Sequence, residues 1–151
     1  GDLFVFIFFG LVAVAGTYYV QGLSWSVDAF LVGSGVGALS TALIVVNNLR
    51  DIDTDSRAGK RTLAVRIGRT LTKLEYLFML SISISVPLLG WMVLDWPVAV
   101  LSSLLVIPLS VSPVQKVIGH TEARDLLPAL AETAQLVGVY GLVLAAGFAL
   151  G

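Results

Sequence analysis

Charge is almost absent from five long stretches of this chain. Residues 3–27, 29–49, 76–94, 96–115 and 133–151 contain no Asp, Glu, Lys or Arg, giving uncharged runs of 25, 21, 19, 20 and 19 residues. A helix rising about 1.5 Å per residue needs roughly 20 apolar residues to cross a hydrocarbon layer ~30 Å thick. Each run meets that requirement. The expected spans are about 3–21, 28–48, 74–94, 98–116 and 128–150. Runs such as Leu3–Gly16 show no alternation of apolar and polar residues, which a membrane β-barrel strand would require. The fold class expected is therefore an all-α integral membrane protein of five transmembrane helices. Composition closes the other routes. With 57% hydrophobic and 13% charged residues, and a mean hydropathy of +0.94, a chain of 151 residues could not cover itself as a soluble domain. The absence of cysteine excludes disulfides and thiolate metal sites, and the single histidine, His120, excludes a histidine cluster.

Charge placement also orients the spans. Arg50, Arg57, Lys60, Arg61, Arg66, Arg69 and Lys73 are seven of the nine basic residues, and Lys116 and Arg124 lie in or beside the connection between spans four and five. The other two connections carry no Lys or Arg. The positive-inside rule puts the basic side in the cytoplasm. Trp25, Trp91 and Trp96 fall near the opposite face, where indoles anchor at the interface. The chain opens on apolar sequence at Gly1 without a signal-peptide pattern, and is expected to be the C-terminal portion of a longer membrane protein.

Eleven of the nineteen charged residues lie within 50–75. If the helix of span two runs on through Asp55, then Asn47, Asp51 and Asp55 recur at i, i+4 and i+8, with Asn48 three residues before Asp51. Asp53 falls roughly 200° away from Asp51 on such a helix. Carboxylates one turn apart repel, so a surface helix gains nothing from them unless a cation lies between. Mg²⁺ takes oxygen ligands, typically one or two carboxylates together with substrate phosphates and water. Arg57, Lys60, Arg61 and Arg66 follow closely, and arginine and lysine are suited to a diphosphate. Gly59 is placed to end the helix and fold these cations back. Basic loops are common on the cytoplasmic side, but amides at the end of a lipid-spanning helix are costly without partners. Together these residues describe a site for a metal–diphosphate complex.

The run NNLRDIDTDSRAGKRTLAVRIG, positions 47–68, resembles the second aspartate-rich motif of UbiA-type membrane prenyltransferases, most closely the branch acting on 1,4-dihydroxy-2-naphthoate. Residues Asp2 to Gln21 also resemble that branch, and the similarity extends over essentially the whole chain. The resemblance implies a bundle of nine helices, of which these spans would be helices five to nine. It implies Mg²⁺-dependent transfer of a polyprenyl group from its diphosphate to the naphthoate ring, with loss of the ring carboxylate, in menaquinone synthesis. The catalytic pair would be Asp51 and Asp55, which would bind Mg²⁺ with help from Asn47 and Asn48. Lys60 and Arg66 would contact the diphosphate, with Arg50 and Arg61 as further candidates. The expected partners are polyprenyl diphosphate, an aromatic acceptor, membrane lipid, and N-terminal helices bearing the first aspartate motif; no nucleic-acid partner is expected. The first motif is absent from these 151 residues, so this chain alone is expected to be inactive. The expected location is a prokaryotic plasma membrane, with loop 49–73 facing the cytoplasm.

Several residues carry blander readings. Tyr18, Tyr19 and Gln21 suit interfacial anchoring, and Gly33, Gly35 and Gly37 suit close helix packing. Ser81, Ser83 and Ser85 are expected to bond their own backbone, and Pro87, Pro108 and Pro113 to kink spans three and four. Glu132 suits a helix N-terminus, and His120 a solvated loop. Two other classes compete. A transporter fragment would favour charge within a span, and a lipid-binding scaffold would leave Asn47, Asn48, Asp51 and Asp55 without purpose. Within the family, another acceptor such as 4-hydroxybenzoate is the nearest alternative.

Overall fold

A computed structural model describes residues 1–151. Five helices are long and apolar enough to cross a membrane: α1 (Asp2–Gly22), α2 (Val27–Arg50), α4 (Leu63–Val93), α5 (Val98–Gly119) and α6 (Ala123–Leu150). A short helix α3 (Ile52–Arg57) follows α2. The expected fold class holds, and no strand is present. Helices α4 and α6 begin well before the uncharged windows, because each carries amphipathic turns on its motif-side end. Loop 49–73 is correspondingly shorter than expected: Thr62 caps α4, its Oγ1 accepting from the Val65 N–H at 3.3 Å, and the helix begins at Leu63.

Helix α2 is the axis of the bundle, packing against α1, α4 and α6. The seam with α1 is backbone on backbone. Residues Phe6–Val12 of α1 are π-helical, and Gly10 among them sits against α2. A Cβ added to Gly10 would lie 2.5 Å from the Gly33 carbonyl oxygen and from the Gly37 Cα. Small residues spaced four apart allow this approach, as expected for Gly33 and Gly37. Gly35 faces the other way and admits the Tyr140 ring from α6. The Tyr140 hydroxyl then donates to the Ser83 carbonyl at 2.9 Å. The Tyr76 hydroxyl, also buried, is 3.0 Å from Thr133 Oγ1. The core thus carries two tyrosines whose hydroxyls are satisfied across helices.

The serines behave as expected. Ser81, Ser83 and Ser85 donate to the carbonyls of Phe78, Leu80 and Ile82. Pro87 lies inside α4, whose one non-helical residue is Gly68 (φ 78, ψ 171). Two expectations change. Trp96 is no interfacial anchor. It is buried against Gly90, and its Nε1 donates to Asp28 Oδ1 at 2.7 Å, because the glycine leaves room for an indole inside the bundle. Glu132 lies too far along α6 to serve the helix N-terminus. It pairs with Lys116 of α5, and Ser112 Oγ donates to its Oε2 at 3.1 Å, tying those two helices together.

Candidate metal–diphosphate site

The end of α2 carries the motif. Its last residue is Arg50, and Asp51 adopts φ −94, ψ 6, so the helix breaks at the aspartate instead of running on to Asp55. The helical spacing survives the break. The Asp51 N–H donates to the Asn47 carbonyl at 3.1 Å and the Asp55 N–H to the Asp51 carbonyl at 2.8 Å. Asn47, Asp51 and Asp55 are thus joined turn to turn through their backbones.

Helix α3 closes in a Schellman motif. The Lys60 N–H donates to the Asp55 carbonyl at 2.9 Å and the Gly59 N–H to the Ser56 carbonyl at 3.1 Å, with Gly59 at φ 73. Gly59 ends the helix as expected. The reversal returns the Lys60 side chain to Asp55, Nζ to Oδ1 at 2.9 Å. Asp55 is only 7% exposed, whereas the Lys60 side chain is 66% exposed. A largely buried carboxylate thus has its cation supplied from the solvent side.

Asp51 takes a bidentate contact from Arg50, Nε to Oδ1 at 2.8 Å and Nη2 to Oδ2 at 2.7 Å. That guanidinium holds the Asp51 carboxyl below the usual carboxylate range, chiefly through the hydrogen bond. Lys60 is raised above the ordinary lysine value, chiefly by its hydrogen bond to Asp55. Asp51 is therefore ionised at neutral pH against Arg50, and Asp55 lies against Lys60. Arg50 Nη2 also donates to Asn47 Oδ1 at 3.0 Å.

The remaining cations divide by role. Arg57, Arg61 and Arg66 are exposed and make no ion pair or side-chain hydrogen bond. Arg69 bonds Asp53 at 2.7 Å and the Thr121 carbonyl at 2.9 Å, and Lys73 bonds the Ile118 and His120 carbonyls at 2.7 and 3.0 Å. Those two fasten α4 to the end of α5, and Asp53 is occupied away from the site.

An apolar groove of about 450 Å³ opens beside Asn47, lined by Leu43 and Ile44 of α2 and by Leu127, Leu130, Ala131 and Ala134 of α6. On the other side of α2 lies a residue that sequence reasoning passed over. Asp2, 5% exposed, accepts from Asn48 Nδ2 at 2.9 Å. In the sequence Asp2 only marks the edge of the first uncharged window, and nothing local joins it to a residue 46 positions away.

No three residues of the His, Cys, Asp and Glu types converge on one point. The donor set fits Mg²⁺ nevertheless. Two carboxylates and nearby amide oxygens are hard ligands, and this ion completes its shell with phosphate oxygens and water.

Comparison with known proteins gives the family. Residues 1–134 match the model of the UbiA prenyltransferase family. The chain is 37% identical over 151 residues to the 1,4-dihydroxy-2-naphthoate octaprenyltransferase of Mycobacterium tuberculosis, covering 100% of this chain and 51% of that protein. It is 45% identical over 83 residues to the Haemophilus influenzae protein of the same name, 55% of this chain and 27% of the relative. It is 34% identical over 103 residues to the rat UbiA prenyltransferase domain-containing protein 1, 59% and 30% respectively. No solved structure matches. The chain spans about half the length of the Mycobacterium tuberculosis relative it matches end to end. With the match running from the first residue through 134, and with the carboxylate–amide–cation cluster it encloses, this integral membrane chain belongs to the UbiA prenyltransferase family.

Proposed function

We propose that the protein carrying this chain transfers a polyprenyl group from polyprenyl diphosphate to 1,4-dihydroxy-2-naphthoate, whose carboxylate is lost as carbon dioxide. The observation that carries the reading is the juxtaposition at the end of α2. Asp51 and Asp55 each hold a cation, and an apolar groove begins at Asn47 one turn away. A long apolar chain with a diphosphate head matches that sequence of surfaces.

Asp51 and Asp55 would hold Mg²⁺ with amide oxygen from Asn47 or Asn48. When bound, that ion supplies charge neutralisation to the departing diphosphate. Lys60, long-stemmed and exposed, lies beside Asp55 and so beside any phosphate bound there. Arg66 and Arg61, free of intramolecular partners, add donors from the following segment. The allylic C–O bond breaks with its electron pair leaving on diphosphate. The ring carbon bearing the carboxylate forms the new C–C bond, and the C–CO₂ electron pair restores aromaticity. The groove along Leu43, Ile44, Leu130 and Ala134 keeps water from the allylic carbon.

The basic loop supports a cytoplasmic position for the site, and the bacterial relatives support a plasma-membrane location. The test uses membranes containing the full-length protein, supplied with the naphthoate, a polyprenyl diphosphate and Mg²⁺. Prenylated product that vanishes in Asp51→Asn and Asp55→Asn supports the reading. Unchanged turnover in both sinks the site assignment. Product formed only with 4-hydroxybenzoate keeps the mechanism and overturns the acceptor.

A further inference from the structure

Asn47 and Asn48 are adjacent amides held in opposite senses. Asn47 Oδ1 is taken by Arg50 Nη2 at 3.0 Å, which turns its Nδ2 outward as a donor. Asn48 Nδ2 is taken by Asp2 Oδ1 at 2.9 Å, which leaves its Oδ1 without a hydrogen-bond partner in the protein. Both orientations are dictated by chemistry. A guanidinium only donates and the Asp2 oxygen accepts from the amide nitrogen, so each amide loses its bond on flipping. Asp2 itself is buried and needs a donor, and the only side chain donating to it is Asn48.

We infer that Asp2 is a positioning residue for the metal site: it fixes the Asn48 amide so that Oδ1 is presented as a ligand, while Asn47, turned the other way by Arg50, donates to a diphosphate oxygen. The inference rests on the metal–diphosphate reading above and deepens it by giving the two amides different partners. Asn48 lies in the last turn of α2, three residues before Asp51, at the helix end that carries the motif.

The experiment measures Mn²⁺ binding to the full-length protein by the loss of the free-ion electron paramagnetic resonance signal, with and without inorganic pyrophosphate. Asn48→Ala and Asp2→Ala should each weaken Mn²⁺ affinity roughly 10-fold or more, as loss of an orienting partner does at metal sites. Asp2→Asn should retain most of the affinity, because its amide oxygen can still accept from Asn48. The double variant Asp2→Ala/Asn48→Ala should bind no worse than Asn48→Ala alone, since Asp2 acts only through that amide. Asn47→Ala should lose the increment in Mn²⁺ affinity that pyrophosphate adds. Additive losses in the double variant, or full affinity in Asp2→Ala, would overturn the inference. Asp51→Asn and Asp55→Asn distinguish the two levels. If both lose Mn²⁺ while Asp2→Ala does not, only the positioning role fails; if neither loses it, the metal site fails as well.

Discussion

Gly68 has a backbone that an L-residue can hardly adopt, and that makes it a sharp test of how the basic segment is held. Its φ of 78 and ψ of 171 lie in a region reserved essentially for glycine, costing other residues about 1–3 kcal/mol. A Cβ at this position meets nothing within 4 Å, so Gly68→Ala adds no collision and the cost is backbone strain alone. Alanine also restricts the unfolded chain, offsetting about 0.4–1 kcal/mol. The net penalty is about 1–2 kcal/mol, or roughly a 5- to 30-fold bias against the native backbone. The chain escapes by rotating the turn Leu63–Ile67 relative to the rest of α4, which displaces Arg66. Trypsin cleavage after Lys60, Arg61 and Arg66 should accelerate by about that factor in membranes of the full-length protein. The KM for polyprenyl diphosphate should rise similarly, with a smaller change in kcat. Gly138→Ala, within α6 and equally open, is the control and should leave both unchanged. Equal behaviour of the two variants would refute the reasoning.

Other outcomes follow from the same geometry. Gly37→Ala drives a methyl into the Phe6 carbonyl oxygen, 2.7 Å away, and should cost about 1–3 kcal/mol, read as a lower midpoint for thermal unfolding in detergent; an unchanged midpoint would deny the α1–α2 seam. Tyr76→Phe leaves Thr133 bonded only to the Ala129 carbonyl and should cost about 1 kcal/mol by the same assay. The pH dependence of the two ion pairs is opposite in sign. The depressed Asp51 contributes stability above the ordinary carboxylate range, lost as pH falls through its folded value. The raised Lys60 contributes below the ordinary lysine value, lost as pH rises through its folded value. Arg50→Gln should therefore move the acid limb of Mn²⁺ binding to higher pH, and an unmoved limb would show that Asp51 does not depend on Arg50.

The spans were legible because charge is costly in lipid, so uncharged windows mark helices whatever their packing. The Asn47–Asp55 spacing and the Gly59 reversal were legible for a related reason: both depend on neighbours within one or two turns. What escaped is tertiary. Glu132 reads as a helix N-terminal acid until α5 brings Lys116 against it. Trp96 reads as an anchor until Gly90 makes space for it inside. Asp2 reads as a boundary until α1 delivers it to Asn48. The break at Asp51 falls between, since nothing local forbids the helix from continuing, and there the carboxylate instead meets its neighbour's guanidinium.

The π-helical stretch of α1 works as a phase adjuster. Gly10 is clamped between Gly33 and Gly37, so both ends of the helix are referenced to that one contact. Toward one end Asp2 must meet Asn48; toward the other Thr17, Tyr18 and Gln21 share a cavity with Asp28. Deleting one residue between Phe6 and Val12 would leave a helix of the same hydropathy, still able to cross the membrane. It would turn one end against the other by about 100°. Either Asp2 or Tyr18 could then keep its place, but not both, so a length change invisible to any measure of membrane insertion would still uncouple the two faces of the bilayer.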